Sequence, residues 1–145
     1  MYGIHDLSRL QSRAVGEFYR LNMPFELGLD FGSKRYGARF TRKKLLILAK
    51  ERHHYQRALS DLSGCDIKYH ENEPMNLIRD VRDWFTETVT RKSLPGPTII
   101  WNNFNDFMYY LHQRCSVLGF SEDDFERLTF AEFIRQVHRW IRLKA

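Results

Sequence analysis

Seven residues, Lys43 to Ala49 (KKLLILA), constrain this chain more than any others. They form a near-continuous apolar run with charged residues on both sides. A strand covered on one face alternates apolar and polar residues. A continuous run is the pattern of a strand buried on both faces, as in a parallel sheet. Parallel strands need crossover connections, which are usually helices.

The flanking sequence supplies such partners. Tyr2 to Leu7 reads as a short strand, with Tyr2, Ile4 and Leu7 apolar. Ser8 to Leu21 is polar and mixed and reads as a long loop with a helical turn. In the next segment, NMPFELGLDFGSKRYG, Pro24 suits a first helical turn and Asn22 a cap. Phe25, Leu27, Leu29 and Phe31 also alternate as a strand would, but the Asn and Pro favour a helix from about Met23 to Lys34. Gly28 inside it weakens the helix by about 1 kcal/mol relative to Ala and would permit close packing against a strand or ligand. After KKLLILA, residues 54–63 read as a helix closed by Gly64. Asp66 to Tyr69 reads as a short strand, and a helix is expected from Pro74 to about Thr90. Strand and helix alternate, which predicts an α/β fold: a small parallel sheet with crossover helices, Rossmann-like in layout.

A break falls at Ser93-Leu94-Pro95-Gly96-Pro97, and everything beyond it reads helical. A helix is expected from Thr98 to about Leu118. Ser121 with Asp124 resembles a cap, and Thr129 with Glu132 a capping box. The expected organisation is an α/β domain over residues 1–94, with a C-terminal helical extension over 95–145 packed on it.

Composition excludes several classes. At 145 residues, 43% hydrophobic and 28% charged, the chain can fold around a core, so wholesale disorder is excluded. No run reaches the roughly 18 residues of a membrane-spanning helix, and the N-terminus lacks a secretion-signal pattern. No membrane contact and a cytoplasmic location are expected. Cys65 and Cys115 make neither a disulfide framework nor a zinc site, and no H-x-x-x-H or C-x-x-C spacing occurs; neither a metal nor another cofactor is expected. Phosphate-loop, dinucleotide and serine-hydrolase glycine motifs are missing as well. A net charge of +5 with pI about 9.4 permits contact with phosphate without demanding it. The basic run Lys34, Arg35, Arg39, Arg42, Lys43, Lys44 reads first as a solvated connector and second as a lip over an anionic ligand. Arg135, His138, Arg139 and Arg142 read as a solvated helix face, and a nucleic-acid interface is disfavoured.

In an open parallel sheet, ligands bind beyond the carboxyl ends of the strands. The first strand ends in His5-Asp6-Leu7-Ser8-Arg9, so Asp6 and Ser8 are candidate ligand contacts, with a turn or cap as the plainer role for Asp6. His5 points to the opposite face. Asn22 and Glu26 fall at the start of the following helix, where the helix dipole keeps a carboxylate ionised. An ionised carboxylate suits a nucleophile or a cation stabiliser better than a general acid. The plainer role for Glu26 is to satisfy the helix end. Tyr55, after His53-His54, lies at the carboxyl edge of the next strand.

The motifs IHDLSR at 4–9, NMPFELGLDFGSKRYG at 22–37 and KLLILAKERHHYQRALSDLSGCDIKYH resemble a family of small uncharacterised bacterial proteins. That family is distantly similar to nucleoside 2-deoxyribosyltransferases and to TIR-type NAD-cleaving domains. The link is a strand ending in Asp-Leu, a loop, and a helix carrying Phe-Glu-Leu-Gly. The resemblance implies that Glu26 is the nucleophile at the sugar's anomeric carbon and Asp6 the acidic group at the strand end. Such folds begin with a further strand and helix, whereas this chain starts at what would be the next strand. That implies a shortened chain, or a sheet edge covered by a second copy or a partner chain. The function implied is a nucleoside or nucleotide N-glycosidase or deoxyribosyltransferase-like activity, with Glu26 catalytic and Asp6, Ser8, Asn22 and Tyr55 binding substrate. The alternatives are a non-catalytic nucleotide-sensing or protein-interaction module and, third, a nucleic-acid-binding domain.

Overall fold

In the computed structural model the described residues are 1–9, 21–52, 59, 62, 67–90 and 92–144. They form two compact units, Met1–Leu94 and Pro95–Ala145. The first is α/β, built on a small open three-stranded parallel sheet. Its elements are β1 (Tyr2–Asp6), α1 (Asn22–Tyr36), β2 (Lys44–Ala49), β3 (Ile67–Tyr69) and α2 (Pro74–Thr88). The sheet order is β1-β2-β3, with Tyr2 opposite Lys44, Asp6 opposite Leu48 and Leu48 opposite Lys68.

The central place of β2 explains its composition. Leu46, Ile47, Leu48 and Ala49 are all buried. Leu45, Ile47 and Ala49 pack on one face with Leu7, Met23, Leu27, Phe31, Leu59, Leu62 and Ile67. Alternation sends Leu46 and Leu48 to the other face, where Tyr2 meets Trp84 of α2 edge to face, ring centres 5.9 Å apart.

On the α1 face, apolar packing surrounds a charged knot. Asp30 of α1 accepts from His5 Nε2 at 3.0 Å and from the Lys43 ammonium, both buried. A Cβ on Gly3 would come within 2.5 Å of an Asp30 carboxylate oxygen, so any larger residue there must push Asp30 away from its partners. Because β1 and β2 are parallel, α1 between them runs back along the sheet, and its start lies toward the carboxyl end of β1. Lys43 is therefore an internal ion-pair partner, while its neighbours Lys34, Arg35, Arg39, Arg42 and Lys44 are exposed.

Two details of α1 correct the sequence reading. Leu21, with no side-chain cap bond, occupies the cap position, and Asn22 is the first helical residue. Gly28 is exposed and nothing lies within 4 Å of where its Cβ would be, so it serves no close packing. The helix expected over 54–63 and Gly64 lie outside the described residues, save Leu59 and Leu62.

The second unit holds α3 (Pro97–Val117), α4 (Glu122–Glu126) and α5 (Phe130–Lys144). Phe107, Leu111 and Cys115, four residues apart on α3, are buried against Phe125, Phe133, Val137 and Trp140. Helix α3 closes on Gly119 at φ +80°. The Phe120 amide returns to the Cys115 carbonyl and the Gly119 amide to Ser116, each at 3.0 Å, a Schellman closure. Both expected caps form: the Asp124 amide donates to Ser121 Oγ at 3.2 Å, and the Glu132 amide to Thr129 Oγ1 at 3.3 Å.

Candidate functional site

The parallel register brings the ends of β1 and β3 to one latitude. The Leu7 amide donates to Leu48 O at 2.8 Å and the His70 amide to Ala49 O at 3.1 Å, each continuing its ladder one step past the strand. Asp6, Leu48 and Lys68 stand abreast and point to the face away from α1. Ser8 and His70, two residues beyond Asp6 and Lys68, share that face. They meet over the end of β2: Ser8 Oγ lies 2.7 Å from His70 Nε2.

Local structure fixes every donor in this cluster. Asp6 Oδ1 accepts from the Ser8 amide at 2.9 Å and from the Ser8 hydroxyl at 2.5 Å, an Asx-type turn that ends the strand. His70 is buried. Its Nδ1 accepts from the Asn72 amide at 3.2 Å. A neutral ring so held carries its proton on Nε2 and donates it to Ser8, with a longer 3.5 Å approach to Asp6. The turn that presents the Asn72 amide places two successive non-glycine residues, Glu71 at φ 55° and Asn72 at φ 60°, in the left-handed region. That conformation is costly for Glu and tolerated by Asn. Strained backbone of this kind is concentrated at functional sites.

The same wiring excludes one chemistry. In a serine-hydrolase relay the carboxylate grips Nδ1 and the histidine presents a bare Nε2 to the serine. Here the carboxylate grips the serine, and Nε2 carries the proton. Ser8 is thus a hydrogen-bonded brace, not a histidine-activated nucleophile.

Neighbouring groups set the electrostatics. Asp80 of α2 has its carboxyl pushed up by burial, with Lys68 and Arg79 pulling it partly back. In the α1 knot, burial pulls the Asp30 carboxyl up. Lys43 and His5 together outweigh that and hold it below the ordinary 3.8. Burial, then Glu132, raises the Cys115 thiol, so it is a packing residue and not a nucleophile. Among the described residues no three His, Cys, Asp or Glu side chains gather as a metal site, and no helix is long and apolar enough to cross a membrane.

Of the residues singled out from sequence, the structure joins Asp6 with Ser8. Glu26 is exposed on α1, which packs against the opposite face of the sheet from Asp6, and it forms no hydrogen bond or ion pair with any described residue. Asn22 is exposed at the start of the same helix and makes no bond to Asp6 or Ser8. Tyr55, His53, His54 and Cys65 lie outside the described residues. His70 is the member that sequence reasoning missed. Its only signal is its place one residue past β3 in the string DIKYH. Comparison of the chain with protein-family models, with curated proteins and with solved structures returns no match.

Proposed function

We infer that this chain binds a nucleoside or nucleotide at the carboxyl edge of its sheet and acts on it as an N-glycosidase-like domain. The observation that supports the reading is the half-exposed Asp6 carboxylate at the tip of β1, braced by Ser8 and by a buried His70 just past β3. Carboxylates at strand tips are suited to sugar hydroxyls, and this edge is where open parallel sheets take ligands. Cleavage of the C–N glycosidic bond passes through an oxocarbenium-like sugar cation. A carboxylate near the anomeric carbon stabilises or traps that cation, the role proposed for Glu26.

Chromatography of base release from nucleosides, nucleotides and NAD tests the reaction. Glu26→Gln should abolish release and leave the melting temperature unchanged, because the side chain is exposed and unpaired among the described residues. Undiminished release by that variant sinks the catalytic assignment.

One observation favours a second reading, binding without cleavage. No described group orients Glu26, whereas four hydrogen bonds orient the Asp6–Ser8–His70 cluster. Bound ligand recovered intact, with no free base, would select this reading. A second copy or partner chain on the sheet edge remains part of the proposal, since β1 and β3 are the outer strands among those described.

A further inference from the structure

Within the Asp6–Ser8–His70 cluster the donors of Ser8 and His70 are spent on one another and on Asp6. The Ser8 amide and hydroxyl both go to Asp6 Oδ1. The His70 Nε2 proton goes to Ser8 Oγ, because the Asn72 amide occupies Nδ1. What remains of the three side chains only accepts. Asp6 Oδ2 has no hydrogen bond among the described residues, and Ser8 Oγ keeps one lone pair. No lysine or arginine lies within ion-pair distance of Asp6 among the described residues; its one charged-type neighbour is His70 at 3.5 Å. The three side chains therefore offer only acceptors, on the sheet face they share with Lys68, and their polarity is set by the tautomer of a buried histidine.

We propose that the Asp6–Ser8–His70 cluster takes the free vicinal hydroxyls of a ribose as paired donors, and so selects ligands with an unmodified 2′,3′-diol. This rests on the nucleoside reading above and narrows it. A sugar lacking those hydroxyls leaves Asp6 Oδ2 and Ser8 Oγ facing apolar carbon. A phosphate on the 3′-oxygen replaces a donor with an anion and meets an uncompensated carboxylate. A base amino group carries the same donor chemistry, so the test must separate the two sources.

Calorimetric titration of the full chain with adenosine, inosine, 2′,3′-dideoxyadenosine and adenosine 3′-monophosphate makes that separation. Adenosine and inosine should bind alike. Loss of two hydrogen bonds to a charged cluster should weaken dideoxyadenosine by about 10-fold or more. The 3′-monophosphate should weaken comparably. Asp6→Asn points an amide donor outward, so its preference for adenosine over dideoxyadenosine should fall toward unity. Circular dichroism checks that variant's fold, and the wild-type panel decides the matter alone if it fails to fold. Equal binding of adenosine and dideoxyadenosine overturns the diol assignment and leaves the nucleoside reading standing. Binding that follows the amino group, retained by dideoxyadenosine and lost by inosine, overturns it too. If no nucleoside binds, the parent reading fails and this inference with it.

Discussion

Ser8 Oγ and His70 Nε2 stand 2.7 Å apart although 62 residues separate them in the chain. The hydrogen bond crosses the end of β2 and ties the two outer strands of the sheet together. Ser8→Ala would leave a proton of a buried ring with only a 3.5 Å partner, Asp6. A loss of about 1–2 kcal/mol is expected, read as a lower denaturation midpoint with an unchanged denaturant slope. An unchanged midpoint would mean that the brace carries no energy.

Gly3 and Gly28 should respond to alanine with opposite signs. At Gly3 the new methyl group meets the Asp30 carboxylate, itself held by Lys43 and His5. Gly3→Ala should destabilise by about 1–3 kcal/mol. Gly28 sits in mid-helix with open space around it, so Gly28→Ala should stabilise by up to about 1 kcal/mol. Thermal melting of the pair checks both signs, and equal shifts would contradict the packing described for β1 against α1.

Asp30 and Asp80 should leave opposite marks on the pH dependence of stability. The Asp30 carboxyl is held below its ordinary 3.8, so its contribution is present above that pH and is lost as pH falls through the lower folded value. Asp30→Asn should remove that acid-limb loss, and it should also destabilise at neutral pH by stranding the buried Lys43. The Asp80 carboxyl is held above 3.8 by burial, so its contribution is present below that pH and is lost as pH rises through the higher folded value. Asp80→Asn should raise stability at pH 7 relative to pH 3. Urea titrations from pH 2.5 to 7 measure both, and parallel profiles for the two variants would refute the assignment.

Gly119 closes α3 with φ at +80° and no neighbour near its missing Cβ. The cost of Gly119→Ala is therefore conformational alone, about 1 kcal/mol. Gly119→Asn should recover part of it, because Asn tolerates the left-handed region. An alanine variant as stable as the parent would mean that α3 ends otherwise.

Strand β2 was legible because burial on both faces leaves an unbroken apolar run, and the caps at Ser121 and Thr129 because each needs only residues three apart. Proline at position 74 marked the start of α2 for the same local reason. What escaped depended on partners distant in sequence. Lys43 reads as one charge in a basic run, and only the fold brings Asp30 to it. His70 reads as a lone histidine after a short strand, and only the register of three strands sets it beside Ser8. Asn22 looks like a cap by type, yet the cap falls one residue earlier, at Leu21, and Asn22 is already helical. Polar residues near a helix start mark the neighbourhood of the cap more reliably than its position.

The parallel pairing of Tyr2 with Lys44 also orders events during synthesis. The first strand emerges long before the central strand it must lie against, and Ser8 waits a further stretch for His70. At about 5–20 residues per second the ribosome imposes a delay of roughly 3–12 s between Ser8 and His70. Through that interval the nascent strand has no finished sheet to join. The contact of Ser8 with His70 forms only when the third strand arrives.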